Sequence, residues 1–395
     1  YNCGIVLGDL HRPGEALASF ENALATGARA ETWNSHGVTL QRLQRFEEAL
    51  RSYAKALAMR PDYTEALYNR GTVLGDLNRP DEALASFDKA LAANPHHAET
   101  WNNRGAALQS LARFEDALAS YYKALRINPD YPAALGNRSI VLRQLKRFDE
   151  SLAGYDRLLA IKPDNTGALY HRGVTLWEMK RFGEALASIE RALAIDPDHA
   201  EAWNARGSTL RELKRPEEAL ASYDKATAIK PDCADAWSNR GNTLQLLDRF
   251  EEALACYDRA VTLKPDLAEA LLRRGTMQWS VFQRYEPAIR DLESALLIDP
   301  FIECARGDLL HMKMHAGDWR NYNRDVALLE AGIRAGKCVS RPLAYQAVSE
   351  SPADLQACSA IYAGHFHPPA PPLRISRNRA HAKIRLCYVC GDFRE

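Results

Sequence analysis

"EAWNARGSTLRELKRPEEALASYDKATAIKP" runs from Glu201 to Pro231, and "EALYNRGTVLGDLNRPDEALASFDKALAANP" runs from Glu65 to Pro95. The two stretches align without a gap, and the spacing that relates them recurs along most of the chain. Glycine stands at Gly37, Gly71, Gly105, Gly173, Gly207, Gly241 and Gly275, with Ser139 in the one gap. Alanine stands at Ala49, Ala83, Ala117, Ala185, Ala219 and Ala253, and proline at Pro61, Pro95, Pro129, Pro163, Pro197, Pro231 and Pro265. From Gly37 to Gly71 the period is 34 residues. A fixed period of this length is the mark of stacked units that cannot bury their apolar faces alone.

Each repeat reads as two helices. In the first, Trp203, Leu210 and Leu213 form an apolar stripe at helical spacing. A short turn at Lys214-Arg215 follows. Pro216 suits the first turn of the second helix, where a missing N–H costs nothing. That helix runs through Ala219, Tyr223 and Ala226 and stops before Lys230-Pro231, because a residue preceding proline disfavours the helical region. Gly207, Ala219 and Ala226 let the paired helices approach, while Trp203, Leu210 and Tyr223 fill the space between neighbours.

The full repeats run 30–63, 64–97, 98–131, 132–165, 166–199, 200–233, 234–267 and 268–302; the last carries one extra residue in its turn. Residues 1–29 read as a partial repeat lacking the start of its first helix, which predicts that the natural N-terminus lies upstream of Tyr1. The expected fold is an all-α, right-handed superhelix of stacked helix pairs.

Composition narrows the function classes. The 395 residues carry 51 Lys+Arg against 51 Asp+Glu, so no net charge draws the chain to nucleic acid or anionic membrane. No apolar run approaches the ~18 residues of a membrane span. The partners expected are therefore proteins, with no nucleic acid and no membrane. The eight cysteines are too scattered for a disulfide framework and point to the reducing cytoplasm.

The Trp/Leu, Gly, Ala, Tyr/Phe, Ala, Pro pattern resembles the tetratricopeptide repeat. That resemblance implies that the first helix of each repeat faces a concave groove. Two positions before the glycine stand Asn2, Ser35, Asn69, Asn103, Asn137, His171, Ala205, Asn239 and Arg273; Asn34, Asn102 and Asn204 lie one position earlier. Asparagine is a mediocre helix former, yet its amide both donates and accepts. Asn2, Asn34, Asn69, Asn102, Asn103, Asn137, Asn204 and Asn239 are thus candidates to hold the backbone of an extended peptide. The alternative is that they bond locally or face solvent. A second row, Arg70, Arg104, Arg138, Arg172, Arg206, Arg240 and Arg274, either pairs with carboxylates of adjacent helices or serves an acidic partner. A related family grips C-terminal carboxylates with a Lys–Asn clamp; Asn34, Tyr68, Asn102, Gly136, Tyr170, Asn204, Ser238 and Leu272 occupy the positions where that clamp needs Lys.

Beyond Pro300 the period stops. Residues 303–366 read as further helices, 367–383 as a proline-rich linker, and 384–395 as a β-strand and turn. This tail, ending "KIRLCYVCGDFRE", resembles the entry to the catalytic region of bacterial SPINDLY/O-GlcNAc-transferase-like proteins, where such a superhelix precedes a two-lobed glycosyltransferase of the GT-B type. Arg385, Tyr388, Asp392 and Phe393 match that family's first strand, and Cys390 and Gly391 depart from it. The resemblance implies transfer of a sugar, from UDP-GlcNAc or another nucleotide sugar, to Ser or Thr of acceptor proteins selected by the superhelix. The family's histidine would follow Glu395, so no catalytic residue, cofactor-binding residue or metal is expected within residues 1–395, and a transferase cut at Glu395 would be inactive. A non-catalytic scaffold for protein assembly is the rival reading. His311 and His315, at i and i+4, and Cys387-x-x-Cys390 read as packing residues rather than metal or redox sites.

Overall fold

The computed structural model describes residues 1–10, 12–302, 304–349 and 351–366. The strand expected at 384–395, the linker at 367–383 and Cys387 and Cys390 lie outside the described residues. Among the described residues every regular element is a helix, in accord with the all-α solenoid read from the sequence. No described helix is long and apolar enough to cross a membrane. The chain divides into two compact bodies, Tyr1–Arg249 and Phe250–Glu395.

In the first body, α1 (Asn2–Asp9) and α2 (Pro13–Thr26) lead into regular pairs. These are α3 (Ala30–Arg42) with α4 (Phe46–Met59), α5 (Thr64–Asp76) with α6 (Pro80–Ala93), and α7 (Ala98–Ser110) with α8 (Phe114–Ile127). They continue through α9 (Pro132–Gln144) with α10 (Phe148–Ile161), α11 (Thr166–Glu178) with α12 (Phe182–Ile195), and α13 (Ala200–Glu212) with α14 (Pro216–Ile229). The body ends on α15 (Ala234–Leu246).

Small residues set the spacing within a pair. A Cβ on Gly37, Gly105 or Gly207 would stand 2.6 Å from the ring of Tyr53, Tyr121 or Tyr223. Ala49, Ala83, Ala117, Ala185 and Ala219 are fully buried across the same contact. Each pair then closes its core on the next: Leu108, Ala117, Leu118 and Tyr121 of α7 and α8 join Val141 and Leu142 of α9 in one cluster. Truncating such a leucine to alanine costs about 2–5 kcal/mol. The joints are also hydrogen-bonded, with the indoles of Trp101, Trp203 and Trp237 donating to the carbonyls of Pro95, Pro197 and Pro231 at 2.8–3.0 Å.

The turns inside each pair share one geometry. The middle residue of each three-residue link enters the left-handed region, at Gln44, Asn78, Ala112, Lys146, Lys180, Lys214 and Asp248, with φ between 55° and 60°. In the first of them, Arg45 N–H donates to Leu40 O and Gln44 N–H to Gln41 O, which closes the C-terminus of α3 as a Schellman motif.

The second body holds α16 (Phe250–Leu263), α17 (Ala268–Ser280), α18 (Tyr285–Ile298), α19 (Ala305–His315), α20 (Tyr322–Arg334), α21 (Pro342–Gln346) and α22 (Pro352–Phe366). The turn between α17 and α18 contains the extra residue noted in the sequence. After α18 the helices pack differently, around Leu310, Leu329, Ile333, Val339, Tyr345 and Cys358.

Candidate functional site

The first helices of successive pairs touch one another directly, α3 on α5, α5 on α7, α7 on α9, and so on to α13 on α15. No comparable contact joins α4 to α6 or α6 to α8 among the described residues. The first helices are therefore the inner side of the curve in this body. The asparagines lie on them.

The structure shows how these amides are engaged. Asn69 Nδ2 donates to Asn34 Oδ1, Asn137 Nδ2 to Asn102 Oδ1 and Asn239 Nδ2 to Asn204 Oδ1, each at 3.1 Å. Asn103 Nδ2 donates to the hydroxyl of Tyr68 at 3.3 Å, and Asn102 Nδ2 donates to Asn103 Oδ1 at 3.1 Å. Each bond between helices links a residue to the one 35 before it, so an amide one place off the repeat register ties its helix to the preceding first helix. Asn137, Asn102, Asn103 and Tyr68 make a continuous relay across α9, α7 and α5. Such chains polarise and strengthen one another.

The rungs do not exhaust the amides. An asparagine has two N–H donors and a carbonyl with two lone pairs. Asn69 keeps its carbonyl and one N–H, and Asn34 keeps its NH₂. All of these residues except Asn102 are at least partly exposed, and Asn2 is exposed and has no partner among the described residues.

Where a rung is missing, the reason is the residue opposite. His171 holds a donor position, but Gly136 stands in the acceptor position, and His171 Nδ1 is left without a partner. Burial, with Arg143 and His199 nearby, lowers its pKa to about 4. At the next joint Ala205 has nothing to donate to Tyr170. A different contact crosses the α9–α11 joint: Arg143 Nη1 donates to Glu178.

Pairing accounts for Arg104, Arg172, Arg206, Arg240 and Arg274 of the arginine row, whereas Arg70 has Ala54 where the carboxylate would stand. Arg104 Nε donates to Asp88 and its Nη1 to Ser120; Arg172 binds Asp156 and Ser188 in the same way, and Arg206 binds Glu190 and Ser222. Each guanidinium thus takes a carboxylate sixteen residues before it and a hydroxyl sixteen after. Arg240 reaches Asp224, and in the second body Arg274 reaches Asp258 and Asp291. Arg138 departs from the rule because Tyr122 and Gly154 stand where its partners would be. It lies over the Tyr122 ring at 5.2 Å, and its buried Nε has no acceptor. These bonds were not visible as a pattern in the arginines alone; the signal was the Asp/Glu and Ser columns at matching offsets.

His311 and His315 approach to 3.1 Å between their Nε2 atoms, with the ring of His311 against Trp279. Among the described residues no group of three or more His, Cys, Asp or Glu is disposed to hold a metal.

Three models, each describing the tetratricopeptide repeat, match this chain: one at residues 34–98, 68–132 and 170–234, one at 108–174 and one at 234–267. Together they cover 34–267 without a break, more than half of the sequence. Among solved structures, a tetratricopeptide repeat protein from Parabacteroides merdae is 20% identical, over 64% of this chain and 98% of that one, with a TM-score of 0.53. The APC/C hetero-tetramer Cut9-Hcn1 is 15% identical, over 75% of this chain and 58% of that one, with a TM-score of 0.55. YrrB, described as a TPR protein with an unusual peptide-binding site, is 28% identical over 47% of this chain and 95% of that one, with a TM-score of 0.39. No curated protein matches the chain. With the repeat period, the helix pairs and the family models in agreement, this chain belongs to the tetratricopeptide repeat family.

Proposed function

We propose that this chain is a protein-interaction scaffold whose inner face holds an extended segment of a partner protein. The observation that carries this reading is the row of amides on the first helices, half-satisfied by each other and with donors and acceptors to spare. A peptide backbone offers the complementary groups at every residue, so an amide row binds main chain with little demand on sequence. The test is replacement of Asn69, Asn103, Asn137 and Asn239 together by alanine, followed by titration with pools of extended peptides. Weaker binding by a variant that retains its helical spectrum supports the reading; unchanged affinity removes it.

A second reading rests on Arg385, Tyr388, Asp392 and Phe393. In it the solenoid selects acceptor proteins for a cytoplasmic O-glycosyltransferase that uses a nucleotide sugar such as UDP-GlcNAc. The coding sequence beyond Glu395 decides it. A histidine next, followed by a nucleotide-sugar-binding lobe, supports the transferase; a stop codon there leaves the scaffold reading alone.

A further inference from the structure

In two helix pairs, a glutamine of the first helix reaches the large side chain that packs on the repeat's recurring glycine. Gln41 accepts from the hydroxyl of Tyr53 and Gln109 from that of Tyr121, both at 3.2 Å. The same position holds Arg143, Trp177, Arg211, Gln245 and Trp279 in later repeats. Among the full repeats Gly75 is the one small residue at this position, and the ring beneath it is Phe87, which has no hydroxyl to satisfy; the partial repeat carries the same sequence pairing, Gly8 with Phe20. Both halves of the Gln–Tyr contact are therefore absent from repeat 64–97. Gly75 is not small for packing reasons, because a Cβ there would meet nothing within 4 Å.

What remains is a notch of about 260 Å³ between α5 and α7, floored by Phe87 and bounded by Ala106 and Ala107. Its rim carries Asn103 of the amide relay, Ser110 and Asp76. Asp76 is exposed and is the only charged residue lining the notch; its carboxylate has no ion-pair or hydrogen-bond partner among the described residues. An apolar floor beneath a carboxylate suits a long side chain with an apolar stem and a cationic head.

We propose that this notch is the side-chain subsite of the groove and takes a lysine or arginine of the bound peptide. The stem lies over Phe87 and Ala106, the head meets Asp76, and Asn103 holds the adjoining main chain. This rests on the peptide-groove reading and adds to it a preferred residue.

The test uses a variant that copies the neighbouring repeats. Gly75→Gln with Phe87→Tyr recreates the Gln109–Tyr121 contact, so it fills the notch with a pair this fold already accommodates, and a thermal melt checks its folding. The probes are acetylated, fluorescein-labelled peptide pools, degenerate except for a central Lys, Leu or Glu. The full chain is expected to favour the Lys pool. The filled variant is expected to bind that pool about tenfold more weakly, and Asp76→Asn to weaken the Lys pool while leaving the Leu pool unchanged. Preference for the Leu pool overturns the basic occupant. Unaltered binding of the Lys pool by the filled variant, with binding lost in the asparagine-to-alanine variant, overturns the notch and leaves the groove reading intact. Failure of the unmodified chain to bind any pool overturns both.

Discussion

A Cβ on Gly154 would stand 2.1 Å from the Oγ of Ser139. In the other repeats of the first body the first helix supplies glycine at this crossing and the second helix supplies serine, as with Gly105 and Ser120. Repeat 132–165 has exchanged them. The single change Gly154→Ser is expected to destabilise by about 1–3 kcal/mol through overpacking, and Ser139→Gly by about 0.5–1 kcal/mol through helix propensity. The double variant is expected to recover most of this loss, because it restores the common pairing and supplies Arg138 with a hydroxyl like that of Ser120. Urea titration of all four proteins measures the coupling; simple additivity would refute the exchange.

The rungs between first helices make a graded prediction. Asn137→Ala strips the donor from the buried carbonyl of Asn102 and is expected to cost about 1–2 kcal/mol, the desolvation penalty of a stranded acceptor. Asn2→Ala, at an exposed residue with no partner among the described residues, is expected to leave stability unchanged. Equal melting temperatures for the two variants would mean that the rungs contribute nothing to stability.

The turns offer a stabilising change. Ala112 has φ 55°, a conformation that costs a side-chain-bearing residue about 1–2 kcal/mol. Ala112→Gly removes that strain and gives part of it back as chain entropy, for an expected net gain of about 0.5 kcal/mol, read as a higher urea midpoint at constant slope.

His171 makes stability depend on pH. Its folded pKa of about 4 lies below the ordinary histidine value of 6.5, so the unfolded chain binds the proton more readily. This contribution is fully present above about pH 6.5 and is lost as pH falls toward 4. The difference between the two states corresponds to at most about 3–4 kcal/mol. His171→Asn removes the titrating group, so the variant is expected to lose less stability than the parent between pH 6.5 and 4. Parallel curves over that window would show that His171 is not the group responsible.

Much of this was legible in the sequence because packing repeats with the chain. The Gly, Ala and Pro columns mark where helices touch and where they stop, and they gave the helix pairs directly. Ser139 was visible only as a gap, since its compensation at Gly154 lies on another helix and appears only when the helices are paired. The asparagine rungs escaped for a related reason. Adjacent first helices meet one residue out of register, so donor and acceptor lie 35 apart and fall in different columns. The arginine partners were likewise split between the helices before and after. The notch beside Asn103 is an absence of side chain, and it takes both Gly75 and Phe87 to make it.

The rungs also divide the first body mechanically. Amide bonds tie α3, α5, α7 and α9 into one stretch, and α13 to α15 in another, but the joints of α11 with α9 and with α13 have none. Arg143 and Glu178 tie the α9–α11 joint instead, so from α3 to α15, among the described residues, the α11–α13 joint is the one where no side-chain hydrogen bond links first helices. A long partner lying in the groove would meet its most yielding joint there, and the pitch of the solenoid would adjust at α11–α13 to match the partner's own rise per residue.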